Sequence, residues 1–129
     1  IVFRVRPRAA SERYAPSADL LMRSVAALFG SRVLAVLMTG MGGDGVAGLR
    51  AVKERRGRTM VESEETAAVF GMPRGAIRAG LADRVLPRRE IALEMARLFL
   101  TTPFSGDPRH ARRIALLADY EKTRSAANA

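Results

Sequence analysis

The sequence predicts an α/β fold built on a parallel sheet, and three observations carry that prediction. Val33, Leu34, Val36, Leu37 and Met38 form an apolar run without alternation, the pattern of a strand covered on both faces. The run stops abruptly in Gly40, Gly42, Gly43 and Gly45, after which Val46, Leu49 and Val52 recur at helical spacing until Gly57, so the unit reads strand, tight turn, helix. Thr59 to Val61 then makes a second short strand. Strand, helix, strand over Val33 to Val61 requires a right-handed crossover and parallel pairing.

The remaining elements follow in chain order. Ile1-Val2-Phe3-Arg4-Val5-Arg6 alternates like a strand and does not resemble a signal peptide, and Pro7 to Ala15 is a polar connector. Pro16-Ser17-Ala18-Asp19 reads as a helix start, with Ser17 as cap and Asp19 in the first turn, where the helix dipole favours an acid. Leu21, Val25, Leu28 and Phe29 supply its apolar stripe, Asp19 and Arg23 sit one turn apart on the outer face, and Gly30 ends it. Ser63 followed by Glu64 and Glu65 predicts a short helical segment. Gly71-Met72-Pro73 opens a further helix, with Pro73 as its first residue and its end near Gly80. Ala82 to Leu86 reads as a third strand, and Pro87 starts a helix whose buried face is Ile91, Met95, Leu98 and Phe99. Thr101 to Gly106 is a linker. A basic helix from about Asp107-Pro108 carries Ala111, Ile114, Leu117 and Ala118 at helical spacing and frays into Ser125 to Ala129.

A chain of 129 residues with 48% hydrophobic residues suits one domain or a large piece of one, and is too apolar for a disordered basic tail despite its net charge of +9. It lacks Cys, which removes disulfides and thiolate chemistry and fits the cytoplasm. No apolar run approaches the roughly 20 residues of a membrane span. With no Met at position 1, the chain reads as cut from something longer. All the basic residues except Lys53 and Lys122 are Arg. They are either solvated on helix faces or aids to meeting an acidic partner. Without interleaved aromatics they do not suggest nucleic-acid binding.

In open α/β sheets, ligands and catalytic groups gather at the carboxyl ends of strands, which is where the glycine turn lies, so Asp44 is the first residue to suspect. It reads either as an ordinary cap for the helix that follows or as the acid that orients and stabilises a catalytic imidazole. The single His, His110, lies in the basic tail, and no Gly-x-Ser-x-Gly elbow occurs. Met41 places a backbone N–H where an oxyanion could be met. Gly40-x-Gly42-x-x-Gly45, with Glu62 about 20 residues beyond Gly40, also matches a dinucleotide fingerprint. Against that reading, Asp44 would put a carboxylate beside a bound pyrophosphate. No set of residues has metal-ligand spacing, so neither cofactor nor metal is expected.

Ordered blocks of this sequence strongly resemble the catalytic domain of chemotaxis protein-glutamate methylesterases. They are Tyr14-x-Pro16-Ser17-x-Asp19; Met22-Arg23-Ser24-Val25-Ala26; Val36-Leu37-Met38-Thr39-Gly40-Met41-Gly42-Gly43-Asp44-Gly45-x-x-Gly48-Leu49; Val69-Phe70-Gly71-Met72-Pro73-x-x-Ala76; and Gly80-x-x-Asp83-x-Val85-Leu86-Pro87. The resemblance spans Tyr14 to Phe99. It implies a doubly wound, mostly parallel, Rossmann-like sheet of which positions 1–100 are the carboxyl-terminal half, with 101–129 a basic tail outside the likeness. It implies hydrolysis of glutamyl methyl esters on chemoreceptor signalling helices, in some members with glutamine deamidation, by a Ser-His-Asp triad. Members commonly carry a receiver domain whose phosphorylation relieves inhibition. The family's acid falls on Asp44, and the turn residue close to the reacting carbonyl falls on Met41, flanked by Gly40 and Gly42. The family's Ser and His precede the block at Tyr14, so this chain alone is expected to be nearly inert. Glu62 stands where members usually have Gln. The rival readings are a nucleotide-binding module and a non-catalytic interaction domain derived from an esterase.

Overall fold

In the computed structural model of the chain, residues 13–103 and 106–127 are described, and the expected opening strand at Ile1–Arg6 lies outside them. The backbone forms two compact units, Ile1–Met95 and Ala96–Ala129. The first holds helix α1 (Ala18–Phe29), strand β1 (Leu34–Leu37), helix α2 (Val46–Glu54), strand β2 (Arg58–Glu62), helix α3 (Gly71–Arg78), strand β3 (Arg84–Leu86) and the start of helix α4 (Arg88–Thr101). The three strands are parallel in the order β1-β2-β3, with Leu34 opposite Arg58 and Met60 opposite Arg84.

One sheet face is covered in full and the other in part. On one face Ala35, Leu37 and Val61 pack with Ala26, Leu49, Val52 and Ala76 from α1, α2 and α3. On the other, Leu34, Val36, Met60 and Leu86 meet Ile91 of α4. Burial of each large aliphatic side chain here contributes about 1.5–3 kcal/mol. The close approach of α1 and α2 depends on Gly48, where an added Cβ would stand 2.7 Å from the Met22 Cβ and 3.1 Å from the Asp19 Cα.

That contact corrects the expected face of α1. Leu21 and Leu28 are 62% and 64% exposed, while Ala26 is buried and Met22, Val25 and Phe29 pack against the core. Val25 and Phe29 stay on the buried face, but its centre is rotated by about 65° from the expected one, because Met22 lies over Gly48. Asp19 accordingly leaves the outer face and turns toward α2. In α4 only Ile91 is buried, against Met60 and Leu86, whereas Met95 and Phe99 are exposed.

Three boundaries also differ from expectation. The segment after Ser63 is a single turn closed by Thr66 N and Ala67 N on Ser63 O, and the Thr66 hydroxyl donates to Glu62 Oε1 at 3.0 Å and accepts from Arg88 N at 2.9 Å. Pro73 is the third residue of α3, still within the first turn, where its missing N–H leaves no helical bond unmade. Helix α5 (Pro108–Ala127) continues past Ser125. Among the described residues no helix is long and apolar enough to cross a membrane.

The β2-β3 side is locked by Thr59 and Asp83. The buried Thr59 hydroxyl donates to the Leu81 carbonyl at 2.6 Å and accepts from Asp83 N at 3.0 Å. Asp83 accepts from Thr59 N at 2.8 Å and pairs with Lys53. The Lys53 ammonium, with Thr59, holds the Asp83 carboxyl below its ordinary value of 3.8, outweighing partial burial.

Two outcomes follow for stability. Gly48→Ala is expected to destabilise the protein by about 1–3 kcal/mol in urea unfolding, and an unchanged midpoint would contradict the close helix contact. Because the folded-state pKa of Asp83 is depressed, its contribution is complete above the ordinary carboxylate value and is lost as pH falls through the folded value. The stability gap between wild type and Asp83→Asn should therefore be constant near neutrality and close below about pH 4. A gap that persists unchanged into strong acid would contradict this.

Candidate active site

The turn between β1 and α2 stands at the carboxyl end of β1 and is held from three sides. At its start, Gly40 N donates to Val69 O at 2.9 Å, and Gly40 O accepts from Gly71 N and Met72 N at 3.1 and 2.8 Å. Gly40 thus serves the turn as scaffold, its amide already bonded. Thr39 is fixed beside it, its N–H donating to Glu62 Oε2 at 2.8 Å and its hydroxyl accepting from Val69 N at 2.7 Å.

At its end, α2 is capped in an unusual way. Gly45 is the cap residue, in the left-handed region at φ 95°, and has no side chain to offer the first-turn amides. Asp19 supplies what is missing: its Oδ1 accepts from Gly45 N at 2.9 Å and Gly48 N at 2.6 Å. Asp44 does the same for α1. Its Oδ2 accepts from Ala18 N at 2.7 Å, and its Oδ1 accepts from Asp19 N and the Ser17 hydroxyl, both at 3.0 Å, and from Gly45 N at 3.1 Å. Asp44 therefore does not act as the cap of the helix that follows it. The two helices exchange carboxylates, each acid resting at the positive end of the other's dipole.

Asp44 is only 8% exposed. Burial pushes its carboxyl upward, but the amides of Asp19 and Ala18, the Ser17 hydroxyl and the Gly45 amide together outweigh it and bring the pKa below the ordinary 3.8. The group is ionised at neutral pH. A carboxylate has about two acceptor directions per oxygen. Oδ1 receives three donors and Oδ2 one, so by count Oδ2 has one acceptor direction without a donor among the described residues.

Between these anchors, Met41 and Gly42 face outward. The Met41 side chain is 84% exposed, and the amides of Met41 and Gly42 meet no acceptor among the described residues. Gly42 adopts φ 87°, with the Tyr14 hydroxyl 2.8 Å from the point a Cβ would occupy. The turn thus combines one oriented carboxylate with free backbone donors. His110, on α5 in the second unit, has the Arg109 side chain 3.5 Å from its Nε2.

Glu62 is fully buried, with Oε2 on Thr39 N and Oε1 on the Thr66 hydroxyl. It is turned into the protein and offers nothing to a ribose, which removes the main support for the dinucleotide reading. Its work is to anchor the start of the turn. Asp19 is the other residue that sequence reasoning missed. The available signal was an acid in the first turn of one helix together with a second helix that opens on glycine and so lacks a cap.

Residues 2–95 match the family model described as CheB methylesterase. The chain is 52% identical over 79 residues to the protein-glutamate methylesterase/protein-glutamine glutaminase of Moorella thermoacetica, an alignment covering 61% of this chain and 19% of that protein. It is 48% identical over 83 residues to protein-glutamate methylesterase/protein-glutamine glutaminase 2 of Xanthomonas campestris pv. campestris, covering 64% of this chain and 24% of that one. The crystal structure of the Thermotoga maritima CheB methylesterase catalytic domain superposes with a TM-score of 0.63 at 40% identity, covering 64% of this chain and 44% of that chain. The chain thus spans about a fifth to a quarter of the length of these curated relatives. With the matched region taking in both capped helices, all three strands and the glycine turn, the chain belongs to the CheB methylesterase family.

Proposed function

We propose that this chain supplies the acid, and part of the carbonyl-binding surface, of an enzyme that hydrolyses glutamyl methyl esters on chemoreceptor signalling helices and also deamidates receptor glutamines. One observation carries the reading: a buried, ionised Asp44 at the carboxyl end of β1, fixed by Ser17, Ala18, Asp19 and Gly45, with an acceptor direction left on Oδ2. The names of the relatives support the substrate class.

The nucleophilic Ser and the His belong to the half of the domain that precedes the Tyr14 block, and a receiver domain in the same protein regulates access. The cytoplasm is the compartment such a substrate requires. Asp44 accepts the imidazole N–H at Oδ2, holding the ring in the tautomer whose other nitrogen faces the serine. The serine oxygen adds to the ester carbonyl carbon while its proton passes to the imidazole. The resulting oxyanion is met by turn donors, for which Met41 N–H is the best placed candidate. Collapse expels methoxide, which takes the imidazole proton and leaves as methanol. Water repeats the sequence on the acyl-enzyme and frees the glutamate. The carboxylate must stay ionised to balance the imidazolium, and its donors keep it so. Gly40 and Gly42 act through the backbone, one tying the turn down and the other letting it pass Tyr14.

In the full-length enzyme, Asp44→Asn should lower kcat for methanol release by about 10⁴-fold with little change in KM. A kcat within a few-fold of wild type, in a variant shown by circular dichroism to be folded, would contradict the proposal.

A further inference from the structure

Beside the turn lies an open cleft of about 350 Å³, walled by Arg13, Tyr14, Asp19, Arg23 and Gly43. Two of the chain's arginines meet at this opening. Arg13 and Arg23 are both exposed, and neither has an ion-pair partner among the described residues. The one acid on the wall, Asp19, is tied to Gly45 N and Gly48 N at 2.9 and 2.6 Å and offsets one of the two guanidiniums, which leaves the lining net positive. The phenol of Tyr14 adds a further hydroxyl at the Gly42 edge. Two guanidiniums and a phenol around one opening form a donor set suited to a carboxylate.

We infer that this cleft receives an acidic side chain of the receptor helix whose ester is being hydrolysed, an inference that rests on the proposed function. Gly43 is two residues from Met41, so the cleft wall lies within about 7 Å of the turn's free amides. One to two turns of a helix span about 5–11 Å. A glutamate three to seven positions from the ester therefore reaches Arg13 and Arg23 while the ester carbonyl sits at the turn. The cleft selects which ester is presented, through the charge of its neighbour, and acts on KM rather than on the chemical step.

The test uses the full-length enzyme and receptor signalling fragments bearing one glutamyl methyl ester, with Glu or Gln placed three, four or seven residues away on either side. Methanol release should show a three- to tenfold higher kcat/KM for at least one Glu-bearing fragment, carried by KM and weakened by added salt, the range expected for exposed ion pairs. Replacing both residues, Arg13→Gln with Arg23→Gln, should bring the ratio to about one, and Arg13→Lys with Arg23→Lys should restore part of it. If the double Gln variant does not fold, Arg23→Gln alone must lower the ratio. Equal rates on all Glu and Gln fragments, or a preference that survives loss of the guanidiniums, would overturn the subsite and leave the esterase reading standing. No methanol from any fragment would overturn both.

Discussion

Two carboxylates, each serving the helix on the other side of the contact, organise the first unit. Asp19 on α1 satisfies amides at the start of α2, and Asp44 just ahead of α2 satisfies amides at the start of α1. Unmet amides at a buried helix start are costly, and α2 begins on a glycine that cannot help itself. The exchange therefore fixes the rotation of α1, the approach at Gly48 and the position of the turn all at once. None of these could change alone without leaving a buried donor or a buried charge unmet.

The same exchange explains how an acid can be held almost out of water and still be ionised. Its donors are backbone amides and a hydroxyl, so no cation neutralises it. The opposite end of the turn is built on a different principle. There Glu62, Thr39 and Val69 bind the chain through hydrogen bonds between segments, and the residues between the two anchors are left facing outward. The turn is tied down at both ends and bare between them.

Features that depend on neighbouring residues were legible in the sequence. The apolar run of β1, the glycine stop, the Ser17 cap and the crossover to β2 are all written within a few positions of themselves, and each is found. What could not be read depends on partners far along the chain. Leu21 and Leu28 make as good a helical stripe as Met22 and Ala26, and only the contact with Gly48 decides between them. Glu62 at the end of a strand looks like a ligand-binding acid until Thr39 and Thr66 are seen to occupy it. Asp44 was singled out by its place at a strand end and by family likeness, whereas the identity of its donors needed α1 to be folded against it.

The proposed role of Asp44 depends on the acceptor direction left at its Oδ2. A crystal structure of the full-length enzyme tests it most directly. An imidazole nitrogen should lie within about 2.6–3.2 Å of Oδ2, with Ser17, Asp19 and Gly45 still on Oδ1. An Oδ2 taken by another backbone amide, or facing bulk water with no histidine in reach, would contradict it.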